Sequence, residues 1–352
     1  MIPKPSLTII LLVKGRLEFT KRWLDYMNAI NFPYEIIIAD GEDDGAVESL
    51  VQNNKTSTDL NIKFYQFNTH GGYAPYYSMM AAAISLAKSK YVMLCDNDDF
   101  IFPKGFESII HFLDTHPEYI SAGGEIVNFK INNLLNTAYG NDVIFLEPYK
   151  YFRSDDPQMD WESQIERMFR DFQPYWYNVY RKESLQSIAD ELCELGLSDL
   201  VAMEFYAQLR TITLGRSKQI EGESYYLRQR GTSQISGDLN FFEDLIDRNL
   251  PKDIQLISNK IASKVKDSLN IAPAIKINYA RFLTNLLAHT VLRHRFPKLF
   301  LFKTFLISLA ESIPSILKIP YRYFSQLKIK QKYYYGRGND AEIKILLEII
   351  KK

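Results

Sequence analysis

Residues Leu7-Thr8-Ile9-Ile10-Leu11-Leu12-Val13 form an apolar, β-branched run closed by Pro5 on one side and Lys14-Gly15 on the other. So short and unbroken a run reads as a strand covered on both faces, since a half-exposed strand would alternate apolar with polar residues. After it, Phe19, Trp23, Tyr26 and Met27 recur at spacings of three and four, which predicts an amphipathic helix ending before Pro33. The pattern then repeats. Tyr34 to Ala39 is a second buried strand leading into the acidic loop Asp40-Gly41-Glu42-Asp43-Asp44-Gly45. Ile62 to Phe67 is a third, followed by Thr69-His70-Gly71-Gly72-Tyr73 and a helical stretch from Tyr76 to Lys88; Tyr91 to Cys95 is a fourth. Strands alternating with helices predict an α/β domain with a mostly parallel central sheet and right-handed crossovers. In such sheets ligands bind at the carboxyl ends of the strands.

The fourth strand ends in Asp96-Asn97-Asp98-Asp99, before Phe100-Ile101-Phe102-Pro103. Carboxylates just past a buried strand end can hold a divalent cation against a phosphate-bearing ligand. The plainer reading is an Asp/Asn turn. The surrounding strand–helix order favours the cation site.

The order and spacing of four features resemble the nucleotide-sugar domain of family 2 glycosyltransferases, the Rossmann-like GT-A fold, over residues 1–235. They are the strand ending Leu12-Val13, the Asp40 to Gly45 loop, the approach Ala87-Lys88-Ser89-Lys90-Tyr91, and the Asp96-Asn97-Asp98 triplet followed by Pro103. The resemblance implies that Asp40 binds the base or ribose and that the backbone at Leu12 and Val13 lines the base pocket. It implies that Asp98 contacts Mn²⁺ or Mg²⁺ directly and that Asp96 lies toward the ribose and the ion's water shell, with Asp99 a supporting acid or a turn residue. An Arg-Asn pair common in relatives is replaced by Met80 and Ala81, and Lys14 and His70 are candidates to stand in for it.

The family usually places a Glu-Asp pair on a helix, with an arginine six residues after the aspartate. Here Glu204, Arg210 and Gly215 match the aspartate, the arginine and a following glycine, while Met203 replaces the first acid. Glu204 is therefore the first candidate for the base that deprotonates an acceptor hydroxyl, and Asp199 the second. Asp199 also suits a helix N-cap, and Glu204 a solvated helix face. In Tyr225-Tyr226-Leu227-Arg228-Gln229-Arg230, Arg228 and Arg230 resemble the family's closing arginines; either offers bidentate contacts to a diphosphate, and either could instead pair with neighbouring acids. Trp161, Tyr175 and Trp176 are candidates to stack on an acceptor or simply to pack.

The chain has 352 residues, 46% of them hydrophobic, enough for one large domain and a smaller one. Its two cysteines, Cys95 and Cys193, suggest no disulfide framework or zinc site and read as small buried hydrophobes. The zero net charge is a balance of opposites: residues 241–352 carry 20 Lys and Arg against 9 Asp and Glu, leaving 22 against 33 in residues 1–240. Between Ile271 and Tyr335 basic residues interleave with Phe296, Phe300, Phe302, Phe305, Tyr321, Tyr323 and Phe324. This predicts a mainly helical, basic C-terminal region, residues 236–352, that either lies on an anionic membrane surface or packs as a subdomain. With no transmembrane-length run or leader, the expected location is cytoplasmic, with peripheral contact at the inner membrane face. No nucleic-acid reading motif is present.

The resemblance implies an inverting, metal-dependent transferase that moves a sugar from a nucleoside diphosphate, UDP first among carriers, to a saccharide or lipid-linked hydroxyl, with surface polysaccharide or glycolipid synthesis as its setting. Two other classes stay open. A sugar-phosphate nucleotidyltransferase would need a more glycine-rich loop than Lys14-Gly15-Arg16, and a non-catalytic saccharide- or partner-binding descendant would have little use for Asp96 and Asp98.

Overall fold

A computed structural model describes residues 6–55, 59–131, 136–146, 160–170, 175–198, 200–232, 250–265, 270–295 and 340–351. The first half is the expected alternation: β1 (Leu7–Val13), α1 (Leu17–Ala29), β2 (Glu35–Asp40), α2 (Ala46–Lys55), β3 (Ile62–Gln66), α3 (Tyr73–Leu86) and β4 (Tyr91–Cys95). These strands lie in the order β3-β2-β1-β4, all parallel. Every residue of β1 except Leu12 is buried, and β2 and β4 are buried throughout. Removing each such Ile, Leu or Val from water contributes roughly 1.5–3 kcal/mol, which is why these runs hold the centre of the sheet.

The sheet then reverses. β5 (Phe100–Ile101), α4 (Pro103–Thr115), β6 (Tyr119–Ile131), β7 (Val143–Leu146), α5 (Trp161–Arg170), β8 (Val179–Arg181), α6 (Lys182–Leu195), α7 (Leu200–Leu214) and β9 (Arg216–Gln229) follow. The order continues β4-β8-β6-β9-β5, with β7 on β6. β8 is antiparallel to β4 and β6, β9 runs parallel to β6, and β5 is antiparallel to β9. The sheet is thus parallel on the side of β1 and mixed beyond β4.

α3 begins at Tyr73, three residues before the position predicted from sequence. Gly71 and Gly72 take positive φ and turn the chain into the helix. Pro75 falls in the first turn, where its missing N–H would have had no partner.

α8 (Leu250–Lys264) packs on α7, and α9 (Ile271–Arg295) packs on α8 and α5. Tyr279 and Phe282 of α9 lie against Phe205 of α7, with ring centroids 6.1 and 5.6 Å away. Asp253 of α8 accepts from the backbone N–H and hydroxyl of Ser198, at the entry to α7. α10 (Asp340–Ile350) packs on α1. These contacts join the described C-terminal helices to the same apolar core as the sheet. Phe296, Phe300, Phe302, Phe305, Tyr321, Tyr323 and Phe324 lie outside the described residues. Among the described residues no helix is long and apolar enough to cross a membrane. Cys95 is buried as expected; Cys193, expected to be buried, is exposed.

Candidate active site

Register decides what meets at the carboxyl end of the sheet. Leu11 of β1 pairs with Cys95 of β4, and Val13 pairs with Asp40 of β2. Leu12 and Asp96 therefore emerge side by side, and both line a cavity of about 550 Å³. Across the sheet Phe100 pairs with Leu227 and so sets Asp99 beside Arg228. The cavity walls include Lys14 and Arg16 after β1, Tyr73 and Tyr76 of α3, Asp96 to Asp99, Trp176 and Tyr177, Met203 and Glu204 of α7, and Arg228 to Thr232.

The three aspartates have different surroundings. Asp96 accepts from the Tyr177 hydroxyl at 2.9 Å. Burial, then the Asp98 charge, push its carboxyl above the ordinary aspartate range, while Tyr177, Arg228 and Arg16 act against the rise. Asp98 lies 3.2 Å from Nη2 of Arg16, and its Oδ2 accepts from the Thr232 hydroxyl. Asp99 is spoken for: Oδ2 accepts from Tyr226 at 2.7 Å, and Oδ1 from the Gln229 backbone N–H at 2.8 Å. It fastens the end of β9 to the acidic turn, and its carboxyl is pushed well up by burial and then by Asp98.

One oxygen from each of Asp96, Asp98 and Asp99 lies within 4.8 Å of the others. An all-oxygen, anionic donor set fits Mg²⁺ or Mn²⁺ rather than zinc. With both Asp99 oxygens engaged, Asp98 and Asp96 would hold the ion.

Arg22 of α1 secures this turn from below. It is fully buried, donating from Nη2 to the Asp98 carbonyl at 2.9 Å and from Nη1 to the Ala138 carbonyl at 2.6 Å and Gln229 Oε1 at 2.7 Å. Burial, opposed by Asp98 and Asp99, lowers its pKa to about 10, so the guanidinium stays charged at neutral pH. It lies between the rings of Phe19 and Phe100, 5.0 and 4.7 Å from their centroids.

Arg228 is half-buried over the Tyr177 ring at 5.2 Å. Burial works against its charge, yet Tyr177, Asp99, Glu204 and Tyr226 around it hold its pKa above the ordinary arginine value. Arg230 is exposed at the rim. Glu204 projects from α7 onto the same cavity. Arg210, six residues on, turns away: it donates to Glu191 of α6 from Nε at 2.7 Å and Nη2 at 3.2 Å and locks the rear of α7. Asp199 is outside the described residues.

Lys14 donates to the Thr69 carbonyl at 3.0 Å while lining the cavity. His70 faces Asp43 at 3.6 Å and is not part of the cavity wall. Val13 and Asp40 are buried and are not part of that wall. Asp40 Oδ1 accepts from the Glu42 N–H at 3.1 Å; Oδ2 is buried with no partner among the described residues. Burial, with smaller contributions from Asp44 and Glu42, raises Asp40 to about 6, the Glu42 N–H opposing it. Trp176 lines the cavity, whereas Trp161 does not.

Sequence reasoning passed over Arg16, Tyr177 and Thr232. Thr232 lies two residues past the segment read for its arginines. Arg16 left a faint signal as the second basic residue after the β1 run, and its left-handed backbone, φ 60° after Gly15 at φ 66°, is visible only in the fold. A non-glycine residue held there costs on the order of 1–3 kcal/mol, a cost that clusters at functional sites.

The sequence of residues 8–173 matches the profile of glycosyl transferase family 2. No curated protein matches the chain significantly. Among solved structures, S. aureus TarS 1–349 aligns with 98% of this chain and 89% of its own at 13% identity, with a TM-score of 0.52. TarS 1–349 in complex with UDP-GlcNAc aligns over 80% of this chain and 81% of its own at 15% identity, TM-score 0.46, and the UDP complex over 74% and 76% at 16% identity, TM-score 0.45. At these identities the likeness is one of fold. With the profile match, the acidic strand end and the sheet order on one chain, residues 8–173 carry the signature of glycosyl transferase family 2, and the chain has the fold of the GT-A glycosyltransferases.

Proposed function

We propose that the protein transfers a sugar, with inversion, from a nucleoside diphosphate sugar to a hydroxyl of a saccharide or lipid-linked acceptor. The carrying observation is that one cavity of about 550 Å³ unites Asp96 and Asp98, Arg228 and Glu204. Asp98 and Asp96 are the residues that would hold Mn²⁺ or Mg²⁺, and the ion would supply Lewis-acid neutralisation of the departing diphosphate. Glu204 takes the proton of the acceptor hydroxyl as its oxygen attacks the anomeric carbon. The carbon–oxygen bond to the diphosphate breaks, and its electron pair leaves with the phosphate. Arg228, with Arg230 at the rim, pairs with that charge. Leu12, Val13 and Asp40 serve the nucleotide, for which UDP is the first to try. Lys14 can reach a phosphate only by leaving Thr69.

Residues 1–235 constitute the transferase domain in this proposal, and 236–352 a helical, basic region suited to the inner membrane face, where a lipid-linked acceptor would be met. Surface polysaccharide or glycolipid synthesis is the setting proposed.

The test is stabilisation by UDP, GDP, dTDP and CMP, with and without Mn²⁺, in the parent and Asp98→Ala. A cation-dependent shift with one diphosphate nucleotide, lost in Asp98→Ala, is expected by mass action. No shift with any nucleotide at saturation would refute the donor site. Glu204→Gln is expected to keep that shift and lose about 10²-fold or more in transfer rate.

A further inference from the structure

We propose that Arg16 is a placeholder cation. It neutralises Asp98 until a divalent ion arrives, then exchanges that carboxylate for the nucleotide's diphosphate, so that ion and nucleotide bind cooperatively. The inference rests on the donor-site reading above and adds a residue and a coupling to it.

The backbone of Arg16 is pinned. Its carbonyl accepts from Phe19 N–H at 3.0 Å, Thr20 N–H at 3.2 Å and Asn97 Nδ2 at 3.4 Å, which opens α1 and ties it to the acidic turn. The side chain crosses the Phe19 ring, its Cζ 4.1 Å from the centroid, and enters the cavity wall beside Asp98. There Nη2 is 3.2 Å from Asp98 Oδ2, but without hydrogen-bond alignment. Nη2 is itself buried and has no hydrogen-bond partner among the described residues. Asp98 Oδ2 is meanwhile the acceptor for Thr232. The contact between Arg16 and Asp98 is therefore one of charge rather than a closed fork, with guanidinium donors left over at the cavity.

A divalent ion on Asp98 would bind the same carboxylate that Arg16 faces. The ion and the guanidinium repel across one carboxylate, so the ion favours release of Arg16, and the nucleotide's diphosphate is the anion that can receive it. A diphosphate supplies that anion in the planar geometry a guanidinium fits best. Each ligand thus removes the obstacle to the other, and the coupling is reciprocal. Lys14 does not offer the same exchange, because its Nζ is engaged by the Thr69 carbonyl rather than by an aspartate.

The experiment measures Mn²⁺ binding by the loss of free-ion electron paramagnetic resonance signal, with full-length protein stripped of metal, with and without UDP. The parent, Arg16→Met and Arg16→Lys are compared. Arg16→Gly, which suits the positive φ, replaces the methionine variant if that one does not fold. In the parent, UDP should tighten Mn²⁺ binding about tenfold or more. Arg16→Met should bind Mn²⁺ alone about tenfold tighter than the parent and gain less than about threefold from UDP, while Arg16→Lys stays near the parent. If Mn²⁺ binds Arg16→Met no more tightly than the parent, with the same gain from UDP in both, the placeholder role is overturned and the donor site stands. If no form binds Mn²⁺ with or without UDP, the donor-site reading falls with it.

Discussion

Asp40 offers a test in which a carboxylate assigned to nucleotide binding works against its own fold: Asp40→Asn. The side chain is fully buried, one oxygen held by the Glu42 N–H and the other unpartnered among the described residues. Burial lifts its pKa from 3.8 to about 6. Because the folded value is raised, the folded protein holds a proton that the unfolded chain releases. The group's stabilising contribution is complete below about pH 4 and disappears as pH rises through about 6. At pH 5, one unit below the folded value, the parent regains about 1.4 kcal/mol relative to pH 8. Asparagine keeps the shape and the Glu42 contact but does not titrate. Urea unfolding of both forms at pH 8 and pH 5 should show the stability difference, variant minus parent, falling by about 1.4 kcal/mol at the lower pH, with UDP affinity at pH 8 reduced in the variant. A difference that stays the same at both pH values would refute the account of Asp40 as a buried, poorly satisfied carboxylate.

Three further outcomes are expected. Arg22→Leu strands the Asp98 and Ala138 carbonyls and Gln229 Oε1, costing about 2–4 kcal/mol in urea unfolding and weakening Mn²⁺ binding with UDP. Tyr177→Phe removes the donor on Asp96, so the Asp96 carboxyl rises further and the pH at which Mn²⁺ binding is half lost moves upward; an unmoved profile would exclude Asp96 from the cation site. Arg210→Met breaks a buried ion pair with Glu191, which keeps Tyr206 and Lys264, and should cost about 2–4 kcal/mol while leaving UDP affinity within about twofold.

The parallel half of the sheet was legible because β1, β2 and β4 are buried along nearly their whole length and bear apolar runs. The mixed half was not, because β8 has three residues and β5 two, too short to show a period. Asp96, Asp98, Glu204 and Arg228 could be nominated from the family resemblance, and the fold does bring them to one cavity. Arg16 and Tyr177 could not be nominated, since each acts through a neighbour far along the chain. Arg210 shows the opposite limit: its spacing from Glu204 suggested partnership in the site, but a helical step of six residues turns it to the other face of α7, toward Glu191.

The position of β8 and β9 bears on how the protein comes to be folded at all. β8 is the one link between β4 and β6, and β9 the one link between β6 and β5 among the described strands. Both follow residue 173, where the family match ends. A growing chain that has reached that point holds β3-β2-β1-β4 as one piece, β6-β7 as another and β5 unpaired, with β4 presenting an open edge. Such long-range strand insertion is slow and leaves edges available to other chains. Synthesis through β9 is thus a precondition for closing the sheet, and a fragment cut at the family boundary should aggregate rather than fold.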